Sequence, residues 1–148
     1  MADINPPGMP IERGKIHEFA NSIGCDEPLY HDAEAAREAG LPGVVAPLTY
    51  TAATAFFQSS DAPHLSKKLG LDMRFVLHGG QEFFYERPVF AGETLTAEQG
   101  EIIESTKEGK RGGTMKIYDS FTNFKNQDGE LVLRVKNTLI QTGGVVKE

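Results

Sequence analysis

Between Gly24 and Asp32 the chain reads GCDEPLYHD, which places a thiol (Cys25), a carboxylate (Asp26), a phenol (Tyr30) and an imidazole (His31) within nine positions. A carboxylate five positions before an imidazole is a candidate acid–base pair. Histidine changes charge near neutrality, and a carboxylate can orient it or share its proton. The same stretch also suits a plain turn, with Asp26 as a turn carboxylate and His31 as a surface imidazole. Cys25 as a nucleophile needs a neighbouring cation, which the local sequence does not name. Its other reading is a small buried hydrophobe.

A second group lies in LHGGQEFFY. His78 precedes Gly79 and Gly80, and glycines let a backbone N–H come close to a carbonyl oxygen, as an oxyanion-stabilising donor must. A β-bulge that bends the sheet is the competing reading. Gln81 is placed to hydrogen-bond across the sheet. Arg87, in ERPVFAGETL, is either a fork for phosphates or, with Glu86, a solvated rim charge. The histidines at 17, 31, 64 and 78 are too scattered to form a ligand pair, so neither a metal nor a cofactor is expected. GKRGG, at Gly109 to Gly113, lacks the strand and helix that a phosphate loop requires and reads as a hairpin tip.

The elements that must position these residues follow from spacing. Residues 1–10 read as an irregular arm, because Pro6, Pro7 and Pro10 exclude a helix. Ile16, Phe19, Ala20 and Ile23 recur at helical spacing, and Gly24 is a natural stop. Asp32 caps a short helix that Gly40 ends. LTYTAATAFFQSS is uncharged and small-faced, which predicts a helix buried on several sides. From Leu77 on, alternation and turn signals predict about four antiparallel strands. Met115, Ile117 and Phe121 share one strand face, broken by Asp119. Leu131, Leu133, Val135 and Leu139 share another, after a hairpin at NQDGE. Helices first and an antiparallel sheet after is an α+β pattern.

Composition narrows the function classes. The chain has 148 residues, enough for one core, with 39% hydrophobic and 24% charged residues. A formal charge of −6 argues against nucleic acid and anionic membrane surfaces. A single cysteine fits a reducing cytosol. The polar, proline-rich MADINPPGMP does not resemble a signal peptide, and no apolar run approaches the roughly 20 residues that span a bilayer. A cytoplasmic protein is expected.

Three pieces carry a resemblance: IHEFANSIGCDEPLYHDAEAAREAGLPGVVAPLTY, LHGGQEFFYERPVFAGETL and GELVLRVKNTLIQTGG. In this order they resemble the hot-dog fold, and more narrowly the MaoC-like dehydratase N-terminal (FAS1-like dehydratase) family. The resemblance implies a single α+β hot-dog domain over residues 11–144, an antiparallel β-sheet wrapped around a buried central helix. It implies action on acyl thioesters of CoA or acyl carrier protein, as an (R)-specific enoyl-thioester hydratase or 3-hydroxyacyl-thioester dehydratase. It also implies pairing with a second hot dog, identical or different. His78, Gly79, Gly80 and Gln81 would lie along the substrate passage, and Arg87 would meet the phosphates of the carrier.

Catalysis in that family rests on Asp-x-Asn-Pro-(Leu/Ile)-His. Anchored on Pro28, the Asn position falls on Glu27, the Asp on Cys25 and the His on Tyr30. Thiols and phenols have unperturbed pKa values of roughly 8.5 and 10, poorly placed for proton transfer near neutrality. In the other register, Asp26 and His31 keep the spacing but lose the Asn and shift Pro28. The Pro-anchored register also puts Asp32 at the helix cap, as the family has it. On this reading the chain resembles the non-catalytic, channel-forming subunit of a heterodimeric (R)-3-hydroxyacyl-ACP dehydratase. Two readings compete with it: a self-sufficient homodimer using Asp26 and His31, and a non-enzymatic acyl-thioester-binding protein. A thioesterase would want a carboxylate on the buried helix, and LTYTAATAFFQSS has none.

Overall fold

A computed structural model describes residues 8–57, 65–109 and 113–143. In chain order the elements are β1 (Met9–Pro10), α1 (Arg13–Ser22), a 3-10 turn (Pro28–Tyr30), α2 (Ala33–Glu38), a 3-10 helix (Tyr50–Phe57) and α3 (Leu65–Lys68). A 3-10 turn (Met73–Phe75), β2 (Val76–Tyr85), β3 (Thr94–Glu108), β4 (Thr114–Lys125) and β5 (Leu131–Gln141) follow. The strands form one antiparallel sheet in the order β1-β3-β4-β5-β2, and the architecture is α+β as expected. The chain divides into two compact units. The first is Met1–Ser59, Phe83–Glu98 and Asn123–Arg134; the second is Ser60–Glu82, Gln99–Thr122 and Val135–Glu148.

The first unit holds most of the buried apolar side chains. Ile16 and Ala20 of α1, Ala36 of α2, Val44, Val89, Leu95, Val132 and Leu133 are all essentially inaccessible. The α1 stripe is as expected at Ile16 and Ala20, but Ile23 at the helix end is 47% exposed. Asp32 caps α2 by accepting from the Glu34 and Ala35 N–H groups at 2.6 and 3.2 Å. The arm is not irregular to its end. Met9 and Pro10 pair with Leu95 and Thr94. That strand is preceded by Gly8 (φ 98°), where a Cβ would sit 2.8 Å from the Leu95 carbonyl oxygen. The Asp128–Gly129 hairpin forms as read, with Asn126 Oδ1 accepting from the Asp128 and Glu130 N–H groups.

The expected buried helix is different in kind. Tyr50–Phe57 is a 3-10 helix, in which Tyr50 and Thr51 are buried and Ala52 is exposed; the QSS end of the stretch lies outside the described residues. Thr54 Oγ1 donates to the Thr51 carbonyl at 2.6 Å, a local bond that competes with an α-helical ladder.

In the second unit, β4 buries Tyr118 and Ser120 rather than the face of Met115 and Ile117. Asp119 does not break the strand. It accepts from Thr138 Oγ1 at 2.5 Å and lies 3.7 Å from Lys136 Nζ, which also reaches Glu82 at 2.8 Å. Strand β2 runs from Val76 to Tyr85 with Gly79 and Gly80 inside it. A Cβ at Gly79 would lie 2.8 Å from Ile140 Cδ1 and 3.1 Å from Thr138 Cγ2, so Gly79 is what lets these side chains lie over β2. The β3–β4 hairpin closes through Gly109 N–H to the Gly113 carbonyl; its tip, residues 110–112, lies outside the described residues.

Candidate functional site

The loop Gly24–Asp32 is built from both ends. The Cys25 N–H takes the Ala20 carbonyl at the end of α1. Pro28 opens the 3-10 turn, whose carbonyl accepts from the His31 and Asp32 N–H groups at 3.0 and 2.8 Å. The Leu29 carbonyl accepts from the Val45 N–H, which fixes the far side.

This geometry brings together a pair that the sequence separates by 14 positions. His17 Nδ1 and His31 Nδ1 are 2.7 Å apart, with rings at 85°. His31 Nε2 lies 2.8 Å from the Cys25 carbonyl oxygen, and His17 Nε2 lies 3.1 Å from Asn21 Nδ2. A carbonyl only accepts, so His31 Nε2 carries a proton. Arg13 donates to the His31 carbonyl at 3.3 Å. The signal that sequence reading missed is His17 and Asn21 at i, i+4 on one face of α1.

Asp26 is exposed and makes no hydrogen bond or ion pair among the described residues. His31 faces His17 and its own loop, not Asp26. Cys25 is half-buried. Tyr30 is half-buried too, and desolvation, then the nearby Glu27 and Cys25, push its hydroxyl above the ordinary phenol range. Between α1 and the 3-10 helix, Phe19, Ser22, Tyr50, Ala53 and Phe57 line a groove of about 380 Å³ together with the Lys15–Glu18 ion pair. Phe19 meets Tyr50 edge-on at 5.3 Å.

The remaining expected residues lie elsewhere. His78 and Gln81 are exposed on β2 in the second unit, and the Gln81 side chain makes no hydrogen bond among the described residues, contrary to the expected bond across the sheet. Arg87 is not a free rim charge. Its Nη1 and Nη2 donate to Glu93 at 3.2 and 2.6 Å, Nη2 donates to Glu130 at 3.0 Å, and Nη1 donates to the Pro88 carbonyl at 2.9 Å. Glu93 also accepts from the Phe90 N–H, so this fork ties the PVFAGE turn to the β4–β5 hairpin. Among the described residues no group of three His, Cys, Asp or Glu side chains converges as a metal site would, and no helix is long and apolar enough to cross a membrane.

The FAS1-like dehydratase domain region matches residues 2–135 of the chain. A UPF0336 protein of Streptomyces griseus is 37% identical over 134 residues, 90% of this chain and 85% of that one. Another from Streptomyces coelicolor is 45% identical over 93 residues, which is 62% of this chain and only 61% of that relative's length. Among solved structures, the C-terminally truncated HadBC complex, a 3R-hydroxyacyl-ACP dehydratase from Mycobacterium tuberculosis, aligns with TM-score 0.68 at 30% identity, over 91% of this chain and 90% of the other. A MaoC-like dehydratase aligns with TM-score 0.73 at 25% identity, over 91% of this chain and 39% of that one.

Proposed function

The chain belongs to the FAS1-like dehydratase family of hot-dog proteins, and we propose that within it this protein is a substrate-channel subunit rather than the bearer of the catalytic dyad. The reaction is hydration of a trans-2-enoyl thioester, or its reverse, on an acyl-CoA or acyl-carrier-protein substrate. A second hot dog supplies the Asp and His.

The observation that carries this reading is the state of His31. Nδ1 is engaged with His17 and Nε2 with the Cys25 carbonyl, so neither nitrogen is presented to a water or a substrate. General base work requires a ring nitrogen within reach of the proton to be taken. The positions aligned with the family dyad are Cys25 and Tyr30, and burial moves Tyr30 further from useful acid–base chemistry. What the chain offers instead is apolar surface: the Phe19–Tyr50–Phe57 groove suits an aliphatic chain. The His78–Gln81 stretch adds backbone donors on the sheet-edge strand β2, and an exposed edge strand is also where a partner hot dog would pair. Arg87, already held by two carboxylates, serves here to brace the rim rather than to bind carrier phosphates.

The test is turnover of crotonyl-CoA. The purified chain alone is expected to show none, and co-expression with a dyad-bearing hot dog is expected to restore it. Turnover by the lone chain, lost on Asp26→Asn and on His31→Ala, would establish the self-sufficient homodimer instead. Tight acyl-CoA binding without turnover, even with candidate partners, would leave a binding protein.

A further inference from the structure

The hydrogen-bond chain through His17 and His31 has one direction in its neutral form. His31 Nε2–H donates to the Cys25 carbonyl, so in a neutral ring His31 Nδ1 is an acceptor. His17 Nδ1 must then be the donor across the 2.7 Å contact, which leaves His17 Nε2 as the acceptor for Asn21 Nδ2–H. Every group from Asn21 to Cys25 is satisfied with a single proton between the two Nδ1 atoms.

We propose that His17 is a positioning residue: held in turn by Asn21, it fixes the ring orientation of His31, whose tautomer the Cys25 carbonyl sets, and the His17–His31 contact is a proton-sensitive latch on the Gly24–Asp32 loop. The loop is the one in which the family carries its dyad. The latch itself rests only on hydrogen-bond geometry and holds whether or not the chain needs a partner for turnover.

The proton count sets how the latch behaves. One extra proton is accommodated: His17 Nε2 takes it, the Asn21 amide turns to present Oδ1, and the Nδ1–H···Nδ1 bond persists with a charged donor. A second proton puts N–H on both Nδ1 atoms, and two donors cannot face each other at 2.7 Å. The doubly protonated pair therefore separates. Separation leaves the Cys25 carbonyl with only a mobile imidazolium as partner, and the loop loses its cross-brace to α1. Of the ionisable groups, Arg13 donates to the His31 carbonyl and Glu18 acts on His17; Cys25, Glu27 and Tyr30 share the loop with His31, and Asp32 follows it at the α2 cap, near Arg13 and Arg37. Glu18 is engaged with Lys15 and Asp32 with the α2 N–H groups, and the Cys25 carbonyl, which can only accept, sets the direction of the chain while the Asn21 amide completes it.

Imidazole nitrogen NMR on the full ¹⁵N-labelled chain tests this without any activity assay. At neutral pH His17 is expected as the Nδ1–H tautomer and His31 as the Nε2–H tautomer, with a through-hydrogen-bond coupling between their Nδ1 atoms. That coupling should vanish once both rings are charged. Two Nε2–H rings with no coupling would overturn the proposal. Asn21→Asp, which can only accept, should draw an N–H onto His17 Nε2; a His17 Nε2 still without its proton would refute the role given to Asn21. The loop is read by the reaction of Cys25 with a thiol reagent at fixed pH. His17→Phe should speed it about tenfold, roughly what one lost hydrogen bond is worth. His17→Asn, whose amide nitrogen falls where Nδ1 lies, should restore the wild-type rate. Equal rates in all three proteins would sink the latch.

Discussion

The two units of the chain differ in how they treat apolar surface. The first inserts Met9, Ile11, Ile16, Leu95, Val132 and Leu133 into positions of 2% exposure or less. Among the described residues of the second, Tyr118 and Val135 are the buried apolar side chains, while Met73, Leu77 and Ile103 stand 64%, 58% and 48% exposed. Charge is handled differently as well. Arg87 in the first unit is bidentate with a nearly buried Glu93, whereas Lys136 in the second is shared between an exposed Glu82 and a half-buried Asp119. The first unit leaves Leu48 and Ile23 exposed at 65% and 47% yet holds most of the buried apolar side chains, whereas the second buries few of its own, and it is that second kind of unit that the proposed partnership requires. The first unit holds the loop, and in the proposed partnership the second offers its exposed Leu77 and edge strand β2 to the partner.

The sharpest way to break this contrast is to remove matched side chains from each unit. Leu133→Ala should cost about 3 kcal/mol in denaturant unfolding. Leu77→Asp should leave the lone chain within about 0.5 kcal/mol of wild type while weakening association with a dyad-bearing partner in size-exclusion runs. Equal losses would erase the distinction. Next comes Arg87→Met, which strands the Glu93 carboxylate and should cost about 2 kcal/mol, with the β4–β5 hairpin amides losing hydrogen-exchange protection first. Gly79→Ala should cost about 1 kcal/mol through overpacking. Because the obstacle is the end of the Ile140 side chain, the double variant with Ile140→Val should recover most of it. The smallest effect is expected at Asp32. Its carboxyl is held below the usual range by the Glu34 and Ala35 N–H groups. That stabilisation is present above the unfolded-state pKa and is lost as pH falls through the lower folded value. Asp32→Asn should therefore melt slightly earlier than wild type at pH 7 and converge with it in acid.

Much of the first unit was legible because local chemistry dictates it: the cap at Asp32, the α1 stripe at Ile16 and Ala20, and the turn at Asp128–Gly129. The β4 face was not. Asp119 reads as a fault in an apolar stripe until Lys136 and Thr138, which lie on β5, are placed beside it. The 3-10 helix was misread because composition speaks to burial and not to which carbonyl Thr54 captures. In the candidate loop, the replacement of the family dyad by Cys25 and Tyr30 was visible from Pro28 alone. The partner of His31 was not, since nothing local links position 31 to His17 until α1 and the 3-10 turn bring the rings together.

Tyr85 has a practical consequence of another kind. Its hydroxyl donates to the Leu48 carbonyl, and burial pushes its pKa up to about 12. The chain has four tyrosines and no tryptophan. In an alkaline spectrophotometric titration Tyr85 should stay a phenol until the Leu48 segment lets go. The late rise in phenolate absorbance would then act as an intrinsic gauge of when that segment detaches, with no added dye or label.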